Sequence, residues 1–201
     1  MTAAIGAYFF LLALVLAHLE IEIEGPHGWA EKLPTRRWDG PAVRRWLGKP
    51  VTGYHLCLLT LLLLFLHLPQ FYGASWEREA DLLAMFFLLT VTWDFLWFAC
   101  NPHFGVMRFR EGQVWWFPAW TFGVPRPYLM AVALSVVAAL APALWSGGWG
   151  DRVYRWAVVF GELVGLTALV MVITLRPRRG GKALRNHREA QSPIREPRQL
   201  D

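Results

Sequence analysis

The sequence has little cysteine and few charged residues. Only 2 of its 201 residues are Cys, and Cys57 and Cys100 are not spaced like zinc or redox motifs, which excludes a disulfide framework and a CxxC site. Both lie near the ends of apolar runs, where free thiols are expected. Charged residues make up 17% and apolar residues 55% of the chain. This composition is typical of a small polytopic membrane protein.

Several strong catalytic motifs are also missing. None of the six His residues pairs as HxxxH or HxxHH, which excludes the eight-histidine iron site of membrane desaturases and hydroxylases. The sequence contains no GxSxG elbow, no HExxH and no P-loop, which excludes the enzyme classes built on them. No internal repeat is visible, and this disfavours a transporter made of two inverted halves.

The main feature of the sequence is a set of five long apolar runs, at residues 3–19, 54–69, 82–100, 128–146 and 156–175. Each has about the length that a helix needs to cross the hydrocarbon core of a bilayer. We predict an all-α integral membrane bundle of five transmembrane helices, forming one domain over residues 1–175. The remainder, residues 176–201, is rich in Pro, Gly and alternating charges and is predicted to be a disordered, basic cytoplasmic tail.

None of the 20 Lys and Arg residues lies within an apolar run. Six lie between the first two runs, three between the third and fourth, eight in the tail and only three in the other two loops. Because cytoplasmic loops carry the excess of cations, we expect the N-terminus outside and the C-terminus inside a bacterial inner membrane. The net charge of +5 then reflects contact with membrane lipids, and no nucleic-acid partner is expected.

The two long loops on the predicted cytoplasmic side are rich in Trp. In the first loop, Gly25 and Pro26 are expected to end the first helix, and residues 41–47 to form a short amphipathic helix. The second loop is too interrupted by Pro to span a membrane. The common use of such Trp residues is an aromatic belt at the headgroups, and stacking on a ligand is the alternative.

Carboxylates, unlike cations, occur in or beside the apolar runs. Asp94 lies inside the third run and Glu20 adjoins the first. An ionisable group in the bilayer costs about 2.5 kcal/mol or more, so such residues usually have a function. Glu20 and Glu24 are one helical turn apart and share a face. The connectivity of the helices brings them to roughly the depth of Asp94 and His103 on the cytoplasmic side.

Carboxylates with imidazoles favour Mg, Mn, Fe or Zn, so we predict a divalent-metal site. The candidate metal ligands are Glu20, Glu24, Asp94 and His103. The candidate general bases or further ligands are His55 and His27. The candidate anchors for a polar or phosphorylated head group are Arg36, Arg37, Arg108 and Arg110.

Each candidate also has a structural interpretation. The glutamates could form an interfacial acidic helix end paired with Arg36, Arg37 or Arg44. Asp94 could be hydrogen-bonded inside the bundle, and the histidines could lie at helix ends at the membrane interface.

The functional hypothesis is a membrane-embedded, metal-dependent enzyme that acts on a lipid or isoprenoid substrate at the cytoplasmic leaflet. One alternative is a b-type haem or electron-transfer protein with His18 and His55 as axial ligands. Another is a non-catalytic carrier or partner subunit, in which Asp94 and Glu162 relay protons. The sequence does not indicate an oligomeric state.

The distribution of cations generates a testable topology. Reporter fusions after Pro69 and after Leu175 are expected to report opposite sides of the membrane, because three helices separate the two points. Alkaline phosphatase and fluorescent-protein reporters measure the two compartments. The same compartment at both points would contradict the helix count.

Overall fold

Five helices of the computed structural model are long and apolar enough to cross a membrane. The structure describes residues 2–175, so the predicted disordered tail, residues 176–201, lies outside the described residues. The chain is mostly helical, and the prediction of a helical membrane protein with five spanning helices is confirmed by length and composition. The spans are Ala4–Glu24, Gly53–Tyr72, Trp76–Cys100, Arg126–Ser146 and Trp149–Leu175.

Seven α-helices occur in the described residues. They are α1 (Thr2–Glu24), α2 (Pro41–Leu47), α3 (Gly53–His67), α4 (Trp76–Cys100), α5 (Arg126–Leu140), α6 (Ala143–Ser146) and α7 (Trp149–Leu175). Short 3-10 helices at Leu68–Tyr72 and Val106–Arg108 complete the helical structure. The short helix predicted at residues 41–47 is confirmed as α2.

Helices α4 and α7 begin several residues before their apolar runs. The first turn of α4 is polar, and the Ser75 hydroxyl accepts a hydrogen bond of 3.1 Å from the backbone N–H of Arg78. Such an N-cap accepts a hydrogen bond from a backbone N–H that has no acceptor within the helix. Hydropathy therefore predicted the membrane-embedded part of each helix and not its polar first turns.

The fourth helix is the centre of the bundle, because it packs against α1, α3, α5 and α7. Its residues Leu89, Leu96 and Phe98 are almost completely buried. Many residues on the outer faces of the other helices are exposed and apolar, as expected of surfaces that contact lipid. The two thiols, Cys57 and Cys100, are free, as predicted.

Two minimal hairpins, which the sequence did not predict, order the Trp-rich loops. Strand β1 (Arg37–Trp38) pairs antiparallel with β2 (Val51–Thr52), and β3 (Trp120–Thr121) pairs antiparallel with β4 (Val124–Pro125). The first hairpin encloses α2 and leads directly into α3. It therefore sets where the first turn of α3, including His55, meets the end of α1.

Candidate functional site

The end of α1 is joined to the end of α4. Gly25 follows α1 with a φ of +61°, a left-handed conformation that glycine adopts readily, and its N–H donates to the Ile21 carbonyl at 2.8 Å. The side-chain amide of Asn101, just after α4, donates to the Gly25 carbonyl at 2.8 Å. This bond holds the carboxylates of α1 beside the last turns of α4.

Two glutamates and one histidine meet at this end of the bundle. The Nε2 atom of His55 lies 3.3 Å from Oε1 of Glu20 and 3.7 Å from Oε1 of Glu24. One potential ligand atom from each residue lies within 4.8 Å of the other two. All three residues are buried, at no more than 8% exposure. We call Glu20, Glu24 and His55 the Glu–Glu–His cluster.

The imidazole of His55 is held in one orientation. The Thr52 hydroxyl caps α3 by accepting the backbone N–H of His55 at 3.3 Å, and the same oxygen lies 2.6 Å from Nδ1 of the ring. The indole of Trp29 stacks on the ring with centroids 4.0 Å apart. These contacts direct Nε2 towards the two carboxylates.

A strained turn covers the Glu–Glu–His cluster. Trp29 and Ala30 have φ values of 57° and 52°, which cost non-glycine residues roughly 1–2 kcal/mol each. In this conformation the N–H of Ala30 donates to Oε1 of Glu24. Arg37 donates to the carbonyl of Ala30 and, at 3.2 Å, to that of Glu31. Backbone strain of this kind is common at functional sites. Here the strained turn places a backbone N–H against a carboxylate.

A small cavity borders the cluster. Its volume is about 10 Å³, and Asp94, Phe98 and Trp116 contribute to its wall. The hydroxyl of Tyr128 donates to Oδ2 of Asp94. A Cβ on Gly28 would lie 2.4 Å from the Trp116 ring, so glycine permits this close packing of the two loops.

The carboxylates at this site lack an ion pair with Lys or Arg. Among residues 2–175, no Lys or Arg nitrogen lies within 4 Å of a carboxylate oxygen of Glu20, Glu24 or Asp94. Buried charges without partners are unfavourable by several kcal/mol each. The arrangement therefore favours a bound cation or protons.

Lys49 contributes a cation to the cover of the site. Its Nζ lies 3.2 Å from the centroid of the Trp29 ring and 4.7 Å from that of Phe117. Burial lowers the pKa of the Lys49 ammonium from 10.5 to about 8, and the negative charges of Asp94 and Glu20 oppose this shift. Lys49 is thus a cation that can release its proton near neutral pH.

Two of the predicted histidines lie apart from the Glu–Glu–His cluster. His103 is exposed, and its backbone N–H donates to the side-chain oxygen of Asn101 at 2.9 Å. His27 is partly exposed and faces Glu31 at 3.6 Å. Asp94 lines the shared cavity but is not a member of the group of three close ligand atoms.

The four predicted anchor residues are all exposed: Arg36, Arg37, Arg108 and Arg110. Arg37 already binds the backbone of the covering turn, and the guanidinium of Arg108 lies 5.5 Å from the Phe104 ring centroid. None of the four arginines lines the cavity beside the cluster.

Three contributing residues were missed by sequence reasoning. A Thr three residues before His55, at the start of a helix, is a recognisable capping signal for Thr52. Lys49 resembled any other interfacial cation of its loop. Tyr128 carried no signal, because its contact with Asp94 joins residues 34 positions apart.

Comparison with protein-family models, curated proteins and solved structures gave no match to this chain. The geometry of the site is therefore the basis for a functional assignment.

The lowered pKa of Lys49 predicts a pH-dependent reactivity. Acylation of Lys49 should rise steeply as the pH passes about 8, because only the neutral amine is nucleophilic. Asp94→Asn should move the midpoint to lower pH, since the Asp94 charge favours the ammonium form. Competitive labelling with acetic anhydride and mass spectrometry measures the midpoint.

Glu22→Gln is the matched control, because Glu22 is an exposed carboxylate on α1. It should leave the labelling midpoint of Lys49 unchanged. An unchanged midpoint in Asp94→Asn would contradict the electrostatic link between Lys49 and the cavity.

Proposed function

We propose that this protein is a membrane-embedded, metal-dependent enzyme that acts on a lipid or isoprenoid substrate at the cytoplasmic leaflet. Its Glu–Glu–His cluster would bind one divalent cation such as Mg, Mn, Fe or Zn. The concentration of cations in the long loops supports a cytoplasmic position for this end of the bundle, in a bacterial inner membrane. Lipid metabolism is the corresponding cellular role.

One observation carries the proposal: two buried carboxylates and a fixed imidazole nitrogen converge within 4.8 Å, and no Lys or Arg of residues 2–175 forms an ion pair with them. Oxygen and imidazole ligands suit a divalent metal. The contact between Nδ1 of His55 and the Thr52 hydroxyl is the kind that orients metal-bound histidines. A bound metal would supply a Lewis acid for a carbonyl or phosphoryl oxygen.

A second cavity supports an apolar substrate. It has a volume of about 320 Å³ and lies between α4, α5 and α7, with an almost entirely apolar lining. This volume is within the range of ligand pockets. Tyr128 lines this cavity, and its hydroxyl donates to Asp94, which lines the cavity beside the cluster. An acyl or prenyl chain here would lie next to the polar site.

The Asp94–Tyr128 pair separates the apolar cavity from the Glu–Glu–His cluster. A carboxylate that accepts a phenol hydrogen bond can hold or release a proton between the two spaces. The exposed arginines at this end, Arg36, Arg108 and Arg110, would attract a phosphorylated head group. Trp29 and Trp116 would exclude water from the cluster.

The alternatives receive different support. For a haem, His18 is exposed and its Nδ1 lies 2.8 Å from the Leu14 carbonyl oxygen, whereas His55 borders a cavity of water size. These positions do not favour a shared porphyrin.

A proton-relaying carrier is favoured by one observation, since Glu162 has a buried oxygen with no hydrogen-bond partner in the described residues.

The metal proposal predicts that charge removal in the Glu–Glu–His cluster abolishes metal binding. Purified wild-type protein, stripped and reloaded with Mn²⁺ or Zn²⁺, should retain about one ion per chain. The bound ion should be lost in the Glu20→Gln and Glu24→Gln variants, because each change preserves the shape of the side chain and removes the charge of a ligand. Elemental analysis after gel filtration measures the ratio, and Glu22→Gln is the control.

Lipid analysis of membranes tests the catalytic part. Cells that express the wild type, but not Glu20→Gln, should show a changed lipid profile. Absence of bound metal in the wild type would contradict the metal site. If metal binds but the wild type and Glu20→Gln give identical lipid profiles, the enzymatic assignment is wrong.

The Thr52 hydroxyl is predicted to position His55 for metal binding. Thr52→Val keeps the shape but removes the acceptor for Nδ1–H, and loss of such a partner typically lowers metal affinity about 10- to 100-fold. Thr52→Ser should keep the wild-type metal affinity, because serine retains the hydroxyl. Thr92→Val is a matched control, because Thr92 is buried and its hydroxyl donates to the Leu88 carbonyl of its own helix. Calorimetric titration with Zn²⁺ measures the affinities.

A further inference from the structure

A larger cavity lies at the opposite end of the bundle, where α1, α4 and α7 begin. It has a volume of about 400 Å³, and most of its lining is apolar, from residues such as Phe9, Leu66 and Val159. All five spanning helices contribute to its wall. It shares no lining residue with the cavity beside the Glu–Glu–His cluster or with the apolar cavity between α4, α5 and α7.

Arginines are concentrated in this cavity. Residues 2–175 contain only three Lys or Arg residues at this end, Arg78, Arg152 and Arg155, and all three line the cavity. Of the acidic residues in the same segments, Asp81 lines the cavity, whereas Glu77, Glu79 and Asp151 do not. The cavity thus has a local charge of +2 at an end of the molecule where carboxylates outnumber cations.

The three arginines differ in how they are held. Arg152 is buried and binds Asp81 at 3.2 Å and the Ala139 carbonyl at 3.1 Å, so it forms part of the wall. Among the described residues, Arg78 donates to backbone carbonyls alone, so no carboxylate there compensates its charge. Arg155 is exposed and makes no hydrogen bond or ion pair with any described residue. Two guanidinium groups therefore remain available to an anion.

We propose that this cavity is a binding site for one anionic phospholipid of the adjacent leaflet. Its acyl chain would lie between the helices, and its phosphate would contact Arg78 and Arg155. The apolar wall requires a hydrocarbon chain, which a free phosphate lacks. Guanidinium groups bind phosphate in a bidentate manner. Two of them favour an anionic over a zwitterionic head group, because a zwitterionic head group carries its own cation, which the guanidinium charges repel.

The position of the cavity supports a lipid occupant. A groove among spanning helices that opens at a helix end meets the region where head groups and chains join. Trp156 forms a rigid part of the wall, since its N–H donates to Ser135 at 2.8 Å and its ring stacks on Phe160. A preformed wall reduces the entropy lost on binding.

The test uses the full-length protein in bilayers of phosphatidylcholine with traces of photoactivatable lipid. Phosphatidylglycerol with a diazirine on its acyl chain should label α4 near Leu82 and Met85 severalfold more than the matched phosphatidylcholine. Arg155→Gln should reduce phosphatidylglycerol labelling about fivefold, because one cation near an anionic surface contributes about 1 kcal/mol to binding. It should reduce phosphatidylcholine labelling less, so that the ratio of the two signals falls. Mass spectrometry of the peptides locates the label.

Two further variants make the result specific. Arg45→Gln, an exposed cation of α2 at the other end, should not change labelling. Leu82→Trp fills the cavity and should block labelling by phosphatidylglycerol while the protein still elutes as a folded species. Equal labelling by the two lipids in the wild type, or an unchanged ratio in Arg155→Gln, would overturn the proposal.

Discussion

The burial of Glu20 and Glu24 beside His55 is the constraint to which the surrounding structure responds. Two carboxylates one turn apart repel each other, and the loss of water makes each charge unfavourable by several kcal/mol. Among the described residues, no Lys or Arg pairs with them. Their electrostatic balance therefore depends on an imidazole nitrogen, backbone N–H groups, the nearby charge of Lys49 and whatever cation or proton occupies the space between them.

The loops at this end are built around those carboxylates. Trp29 and Ala30 adopt strained backbone conformations, and in doing so they deliver an indole to His55 and an N–H to Glu24. Arg37 holds the turn in place through the Ala30 carbonyl. The aromatic residues of these loops thus divide into buried ones that enclose the site and exposed ones suited to the membrane interface. Their assignment to an aromatic belt or to stacking on a ligand stays a prediction.

Local patterns in the sequence predicted the parts of the protein that depend on local physics. Hydropathy over about 20 residues located all five spanning helices, because crossing a bilayer requires a run of that length. Gly25 and Pro26 predicted the end of α1, since a left-handed residue and a missing N–H terminate helices. The helical period placed Glu20 and Glu24 on one face. Charge counts separated one end of the bundle from the other.

Tertiary structure decided which residues meet. Depth along the membrane normal predicted His103 as a metal ligand and His55 as a general base or further ligand. The rotation of α3, fixed by Thr52 and the first hairpin, turns His55 towards the carboxylates. The bond between Asp94 and Tyr128 and the enclosed cavities result from packing between distant segments, which no local pattern encodes. The sequence by itself determined the helices and the faces that carry charge. Helix rotation and loop packing, governed by contacts between distant residues, determined the site.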